Sequence, residues 1–161
     1  YCYFCYNQEM RRLYQAGEIG EVQFAECEYI RAEPGRTLNI LSPGLKHWRN
    51  WIPSTYYPTH ALGPIMFITG HRPVSVNARS VPYSDADVEY PLHVRHGDIG
   101  SHIMCTMDNG SVTIANGLLL RGHGNWYRLH GTRGLMENLR TNGEGHKLRV
   151  KRSSATGRHG L

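Results

Sequence analysis

The spacing of apolar side chains changes period several times along the chain. Met10, Leu13 and Tyr14 fall at the i, i+3, i+4 positions of one helical face. The pattern predicts a helix over residues 7–16, with Asn7 capping its free N–H groups, Glu9 at its positive end and Gly17 just past its stop. Glu18-Ile19-Gly20 is a turn. From 22 to 32 the period drops to two, the signature of a strand. Val22, Phe24 and Ile30 share one parity with Glu26 and Glu28, whereas Ala25, Cys27 and Tyr29 take the other. A face carrying two glutamates is wet or pairs with Arg and Lys. A second helix is predicted over 57–69, stopped by Gly70, with Ser54 or Thr55 as its cap and Pro58 in its first turn. Pro64 lies deeper and must kink that helix or mark a later start.

Between these elements, 33–55 is irregular and punctuated by Pro34, Gly35, Pro43, Gly44 and Pro53. Long loops in compact domains are often functional. Further strands are expected over 74–81, 99–107, 111–120 and 125–130. Asp108-Asn109-Gly110 joins two of them as a hairpin turn, which explains Asn109-Gly110-Ser111 better than glycosylation does. Gly131-Thr132-Arg133-Gly134 ends the last. Five or more strands with two early helices make an α+β domain: an antiparallel or mixed sheet with helices on one face. Residues 1–139 form that domain, and 140–161 read as a basic, Gly- and Ser-containing tail or an incomplete C-terminal part.

Composition narrows the picture only in places. With 161 residues the chain is one domain's worth, long enough for a sizeable core. No apolar run approaches the roughly 20 residues of a spanning helix, so a membrane role is not expected. The net charge is +5, and the segment from Arg140 onward, with six bases against Glu144, accounts for all of it. Residues 1–139 are neutral. A polyanion partner such as nucleic acid would therefore meet the tail alone, and no aromatic-interleaved basic face supports one. Four cysteines are too sparse for a disulfide scaffold, so a reducing, cytoplasmic setting is expected. The opening Tyr1-Cys2-Tyr3-Phe4 reads as mid-chain sequence with an upstream part expected.

Two segments carry candidate chemistry. In Tyr56-Tyr57-Pro58-Thr59-His60-Ala61-Leu62-Gly63-Pro64 a histidine sits at a helix start beside tyrosine hydroxyls, where it can exchange protons near neutral pH. The plainer alternative is a histidine satisfied by backbone, with Tyr56 and Tyr57 as packing. In His47-Trp48-Arg49-Asn50-Trp51, indoles can stack on a pyranose while Arg and Asn read hydroxyls or a carboxylate. Its plainer alternative is a loop anchored by two buried tryptophans. Cys2-x-x-Cys5 with His93-x-x-His96 offers four zinc ligands on paper, but neither pair looks like a zinc knuckle, and no metal is expected. No Gly-x-Gly-x-x-Gly or Gly-x-x-x-x-Gly-Lys occurs, so the chain has no nucleotide cradle of its own.

Taken in order, several stretches resemble the C-terminal domain of the Gfo/Idh/MocA oxidoreductases. They are Gln15-Ala16-Gly17-Glu18-Ile19-Gly20-Glu21-Val22, Thr59-His60-Ala61-Leu62-Gly63-Pro64, Thr69-Gly70-His71-Arg72-Pro73-Val74-Ser75-Val76, Asp108-Asn109-Gly110-Ser111-Val112 and Gly131-Thr132-Arg133-Gly134-Leu135-Met136-Glu137. The likeness runs over about residues 6–139. It implies an open-faced sheet, used for homo-oligomerisation, and a partner Rossmann domain upstream that binds NAD or NADP and carries the family's Glu-Lys-Pro motif. The resemblance puts the active-site histidine at His60 and places Tyr56 where the family's common pattern has Asp. It implies hydride transfer to or from a sugar or cyclitol, with His60 expected as general acid/base or to orient a hydroxyl, Tyr57 assisting, and Arg49, Trp48, Tyr56 and Thr59 holding substrate. The fragment alone is expected to be inactive. The Tyr-Pro-Thr-His-x-Leu-Gly-Pro form with an upstream Trp-Arg is similar to the NAD-dependent α-N-acetylgalactosaminidase branch, so a redox-assisted glycosidase is the alternative enzyme. A non-catalytic carbohydrate-sensing or assembly module is the alternative of a different class; sugar binding or dimerisation without turnover would mark it.

Overall fold

In the computed structural model the fold is described for residues 1–31, 40–44, 46–82, 98–118, 120, 124–140 and 145–153. His93 and His96 of the paper zinc set lie outside the described residues, as does the end of the basic segment. Among the described residues, two complete α-helices, α1 (Cys5–Gln15) and α2 (Thr59–Thr69), accompany seven strands: β1 (Val22–Ile30), β2 (Pro73–Pro82), β3 (Asp98–Met107), β4 (Val112–Leu118), β5 (Asn125–Gly131), β6 (Gly134–Asn138) and β7 (Leu148–Arg152). They form one sheet in the order β2-β3-β4-β1-β5-β6-β7. Only the central β1–β4 pairing is parallel, so the sheet is mixed. The α+β class and the helices on one face hold.

The sheet register explains the core. One inward row runs Cys105, Thr113, Ala25, Leu129, Met136 and Val150 across six strands. A second runs Ile103, Ala115, Cys27 and Tyr127. Met10 and Leu13 of α1 and Ala61, Ile65 and Ile68 of α2 close over these rows in one cluster. Val22 joins the buried side against its parity because a bulge between Val22 and Phe24 resets the alternation. On the opposite face Met104, Ile114, Glu26, Arg128, Glu137 and Arg149 line up in register. The glutamates there do pair with arginines: Arg128 with Glu26 and Glu137, and Arg140 with Glu28.

Several local expectations change. Asn7 is not a cap: α1 begins at Cys5 after Phe4, and Asn7 lies buried within it, its Nδ2 donating to the Tyr1 carbonyl at 3.0 Å. Neither Ser54 nor Thr55 caps α2, which starts at Thr59 after Pro58. Residues Ser54–Tyr56 instead form a separate 3-10 turn, and Trp48–Asn50 another. Pro64 does not delay the helix, which runs through it to Gly70 at φ 79°. In β4 the core side belongs to Thr113 and Ala115, and Val112 and Ile114 take the open face. Two strands were not anticipated. Strand β6 follows the Thr132-Arg133 turn directly, and β7 lies inside the basic segment, fixed by pairing to β6 and by the Arg152–Glu18 ion pair. Its three basic residues in five suit an edge strand, where Lys and Arg face water.

Candidate active site around His60

The first turn of α2 presents His60 at the edge of the helical layer, half-buried, where the end of β1 and the chain start converge. Three tyrosine rings surround the imidazole. Its centroid is 4.3 Å from Tyr1, 4.6 Å from Tyr29 and 5.0 Å from Tyr57. Tyr29 is the last inward residue of β1, so the strand's period delivers it there. Tyr57 stacks on Tyr29 at 6.0 Å with an interplanar angle of 15°. The phenols are polar handles on apolar rings, a surface suited to hydroxylated carbon frames.

The His60 Nδ1 lies 3.0 Å from the Thr59 hydroxyl. Among the described residues no carboxylate hydrogen-bonds this imidazole; Tyr56, at the position where an Asp was sought, is exposed. Burial is the largest cause that pushes the His60 pKa down, and the Arg49 and Arg31 guanidinium groups push it the same way. The neutral ring is therefore favoured. Burial and a hydrogen bond to Tyr29 push the Tyr1 phenol up to about 12, so it stays protonated.

The aromatic loop reaches the site through one contact. The Arg49 guanidinium donates to the Tyr57 hydroxyl at 3.2 Å and lies 5.0 Å from the Trp48 ring centroid. Trp48 and Trp51 are 55% and 62% exposed, so neither is a buried anchor of the loop. Asn50 does: it is buried, and its Nδ2 donates to the Ser42 and Gly44 carbonyls. Asn50 is thus committed to backbone and not free to read a substrate. A second anchor is Asp98, buried at the start of β3, which accepts the Ser54 N–H and the Ser80 hydroxyl.

The structure therefore brings His60, Thr59, Tyr57, Arg49 and Trp48 together and leaves Tyr56 outside the tyrosine cluster. Sequence reasoning missed Tyr1, Tyr29 and Asp98. The period-two pattern of β1 held a signal for Tyr29, since the strand's last inward residue points under the following helix. Asp98 follows a stretch outside the described residues and carried no motif.

The described residues do not fit a dinucleotide's phosphates. Neither helix opens on a Gly-rich turn straight from a strand, and the residue that precedes α2, Pro58, has no N–H to offer. Among the described residues no group of three or more His, Cys, Asp and Glu side chains is placed to hold a metal. None of the described helices is long and apolar enough to cross a membrane.

Residues 7–137 match the family model described as the GFO/IDH/MocA C-terminal domain. No curated protein matches the chain. Its fold is shared by many solved structures, three of which follow. One is levoglucosan dehydrogenase in complex with NADH and levoglucosan, at TM-score 0.67 and 17% identity, covering 94% of this chain and 43% of that one. Another is an oxidoreductase from Agrobacterium radiobacter with NAD+, L-tartaric acid and magnesium, at TM-score 0.62 and 16% identity, covering 91% and 40%. The third is an inositol dehydrogenase homolog from Azotobacter vinelandii complexed with NAD+, at TM-score 0.61 and 14% identity, covering 91% and 40%. The chain thus spans about two fifths of the length of the solved structures it matches.

Proposed function

This chain belongs to the GFO/IDH/MocA C-terminal domain family, and from that premise we propose that it is the substrate domain of an NAD(P)-dependent oxidoreductase acting on a sugar or cyclitol. The observation that carries the reading is the half-buried His60 set among the rings of Tyr1, Tyr29 and Tyr57, with Arg49 of the aromatic loop donating to Tyr57. The levoglucosan and inositol enzymes that share the fold lend support for a polyhydroxylated substrate. A nicotinamide held by the rest of the parent enzyme would supply the hydride chemistry, and this chain's residues would bind the substrate and handle its proton.

His60 handles the accompanying proton. In the tautomer whose Nδ1–H donates to Thr59 Oγ1, Nε2 carries the lone pair and takes the proton of the hydroxyl being oxidised. In the reverse direction it returns that proton to the carbonyl oxygen. Tyr57 orients a neighbouring hydroxyl, with its own phenol oxygen held by Arg49. The exposed Trp48 ring offers a face for the sugar's C–H surface. The open sheet face, where Phe24, Val112, Ile114 and Met104 lie among the charged rows, is the surface for homo-oligomerisation; Met104→Glu is expected to lower the oligomer order in sedimentation.

The test is His60→Ala in the full-length enzyme, assayed with NAD+ or NADP+ against levoglucosan, inositols and simple aldoses. General acid/base catalysis contributes about 10²–10⁴-fold. A loss of less than about tenfold on a substrate that the parent enzyme oxidises would rule out the proton-transfer role.

A further inference from the structure

The helix that carries His60 has a broken hydrogen bond at that very residue. In an α-helix the carbonyl of residue i accepts the N–H of residue i+4. For His60 that partner is residue 64, and residue 64 is a proline, which has no N–H. The His60 carbonyl would be an orphan in a part-buried place, a costly arrangement unless another donor reaches it. One does. The hydroxyl of Tyr127, a fully buried residue at the middle of β5, donates to the His60 carbonyl at 2.7 Å.

The donor is itself held firmly. The Tyr127 side chain packs in the main core cluster, in register with Cys27, and lies 6.2 Å from the Tyr6 ring. Its backbone N–H goes to the Asn138 side-chain oxygen at 2.7 Å, and Asn138 is buried at the end of β6 with its amide tied to the Asn125 and Gly145 carbonyls. Burial pushes the Tyr127 phenol far up, so it remains a donor at every working pH. A strand therefore reaches through the core to one carbonyl, and that carbonyl belongs to the residue whose imidazole sits among the three tyrosine rings.

We propose that Tyr127 is the positioning residue for His60, its hydroxyl replacing the amide hydrogen that Pro64 withholds and so tying the first turn of α2, and with it the imidazole, to the central sheet. This rests on the reading of His60 as the proton-transfer group, but the geometry it claims can be tested apart from turnover. A normal helix residue at 64 would offer this carbonyl a donor from within the helix; with proline there, the strand's hydroxyl takes that place. Misplacing a catalytic group by about 1 Å can cost on the order of a hundredfold in rate, which gives a reason for a device that fixes backbone as well as side chain.

The discriminating experiment is a three-variant cycle in the full-length enzyme: Tyr127→Phe, Pro64→Ala and both together. Tyr127→Phe is expected to lower kcat about tenfold with KM changed less than twofold, and to move the His60 ring resonances and their titration midpoint in NMR. Pro64→Ala restores an N–H four residues after His60, so the double variant satisfies the carbonyl again but still lacks the tie to β5: it is expected to fold at least as well as Tyr127→Phe while kcat stays about tenfold down and the ring resonances stay shifted. The double variant leaves no orphan carbonyl, so it stays informative if Tyr127→Phe folds poorly. Unchanged ring resonances and kcat in Tyr127→Phe would overturn the proposal. So would a double variant that recovers both, since a carbonyl satisfied within the helix would then suffice without the strand. The NMR arm needs no substrate: if His60→Ala retains turnover while the ring still moves in Tyr127→Phe, the catalytic reading fails and the positioning geometry stands.

Discussion

Both carboxylate oxygens of Asp98 accept the backbone N–H of Ser54, at 3.0 and 3.2 Å, across 44 residues of sequence. This contact docks the 3-10 turn Ser54–Tyr56 on the start of β3, and that turn leads directly into Tyr57 and His60. The Ser80 hydroxyl fills a further acceptor position on Asp98 from the neighbouring strand. The carboxylate therefore does for this turn what a capping side chain does for a helix start.

Asp98→Ala is expected to raise KM severalfold and to cost about 1–2 kcal/mol of stability, because it leaves a buried N–H without its acceptor. Asp98→Asn keeps an oxygen for Ser54 and should lose less than half as much. Urea denaturation midpoints and initial-rate kinetics read both. Equal losses for the two variants would mean that packing, not the hydrogen bonds, holds the turn.

Arg49→Lys tests the hold on Tyr57. A lysine keeps the charge but not the planar fork that donates to a phenol while lying beside an indole. KM is expected to rise about tenfold with little change in kcat, the signature of lost binding rather than lost chemistry. Tyr57→Phe, which removes the acceptor, should match it, and the double variant should add little. Additive losses would separate the two residues functionally.

The fold was legible in the sequence where hydrophobic period and turn chemistry agreed. The β3–β4 hairpin is the clearest case: Asn109 accepts the Ser111 N–H and hydroxyl, and Gly110 takes φ 82°, as an Asp-Asn-Gly turn demands. Strand β7 was hidden because three of its five residues are charged, and an edge strand needs no apolar alternation to pair. The cap of α1 was misread because Asn7 looks like a cap locally, and only the tertiary fold shows it buried against Tyr1. At the site, His60 and Arg49 were visible as residue types near each other in sequence. Tyr29, Tyr127 and Asp98 arrive from other strands, 31, 67 and 38 positions away from His60, and no local pattern announces such a meeting.

The pH dependence follows from the direction of the His60 shift. Burial and neighbouring cations hold its pKa below the ordinary imidazole value of about 6.5. The base-competent form therefore persists into mildly acidic solution. The acid limb of kcat/KM for substrate oxidation should have its midpoint below 6.5. The same shift means that the unfolded chain takes up the proton first. The cost to stability is absent above the unfolded value and grows as pH falls from there through the folded pKa. Replacing Arg49 by Gln should raise the NMR-measured His60 midpoint modestly, since burial is the larger cause. A midpoint at or above 6.5 in the intact protein would contradict the half-buried geometry.

On the open face of the sheet, Glu137 separates two arginines that differ in exposure. Its carboxylate is 6% exposed and accepts from Arg128 Nε at 2.9 Å and from Arg149 at 3.0 Å. Arg128 is about one third exposed, also reaches Glu26 and stacks over Trp126; Arg149 is largely in water. Exposed ion pairs contribute about 0–1 kcal/mol, whereas removing one partner of a buried pair strands the other. Arg149→Ala is accordingly expected to cost under about 0.5 kcal/mol, and Glu137→Ala about 1.5–3 kcal/mol, because Arg128 then keeps only the longer contact to Glu26. Denaturant titrations of the two variants decide it. If they fall together, the row across β5, β6 and β7 is a set of surface pairs, and the edge strand β7 is held by its backbone ladder and the Val150–Met136 packing instead.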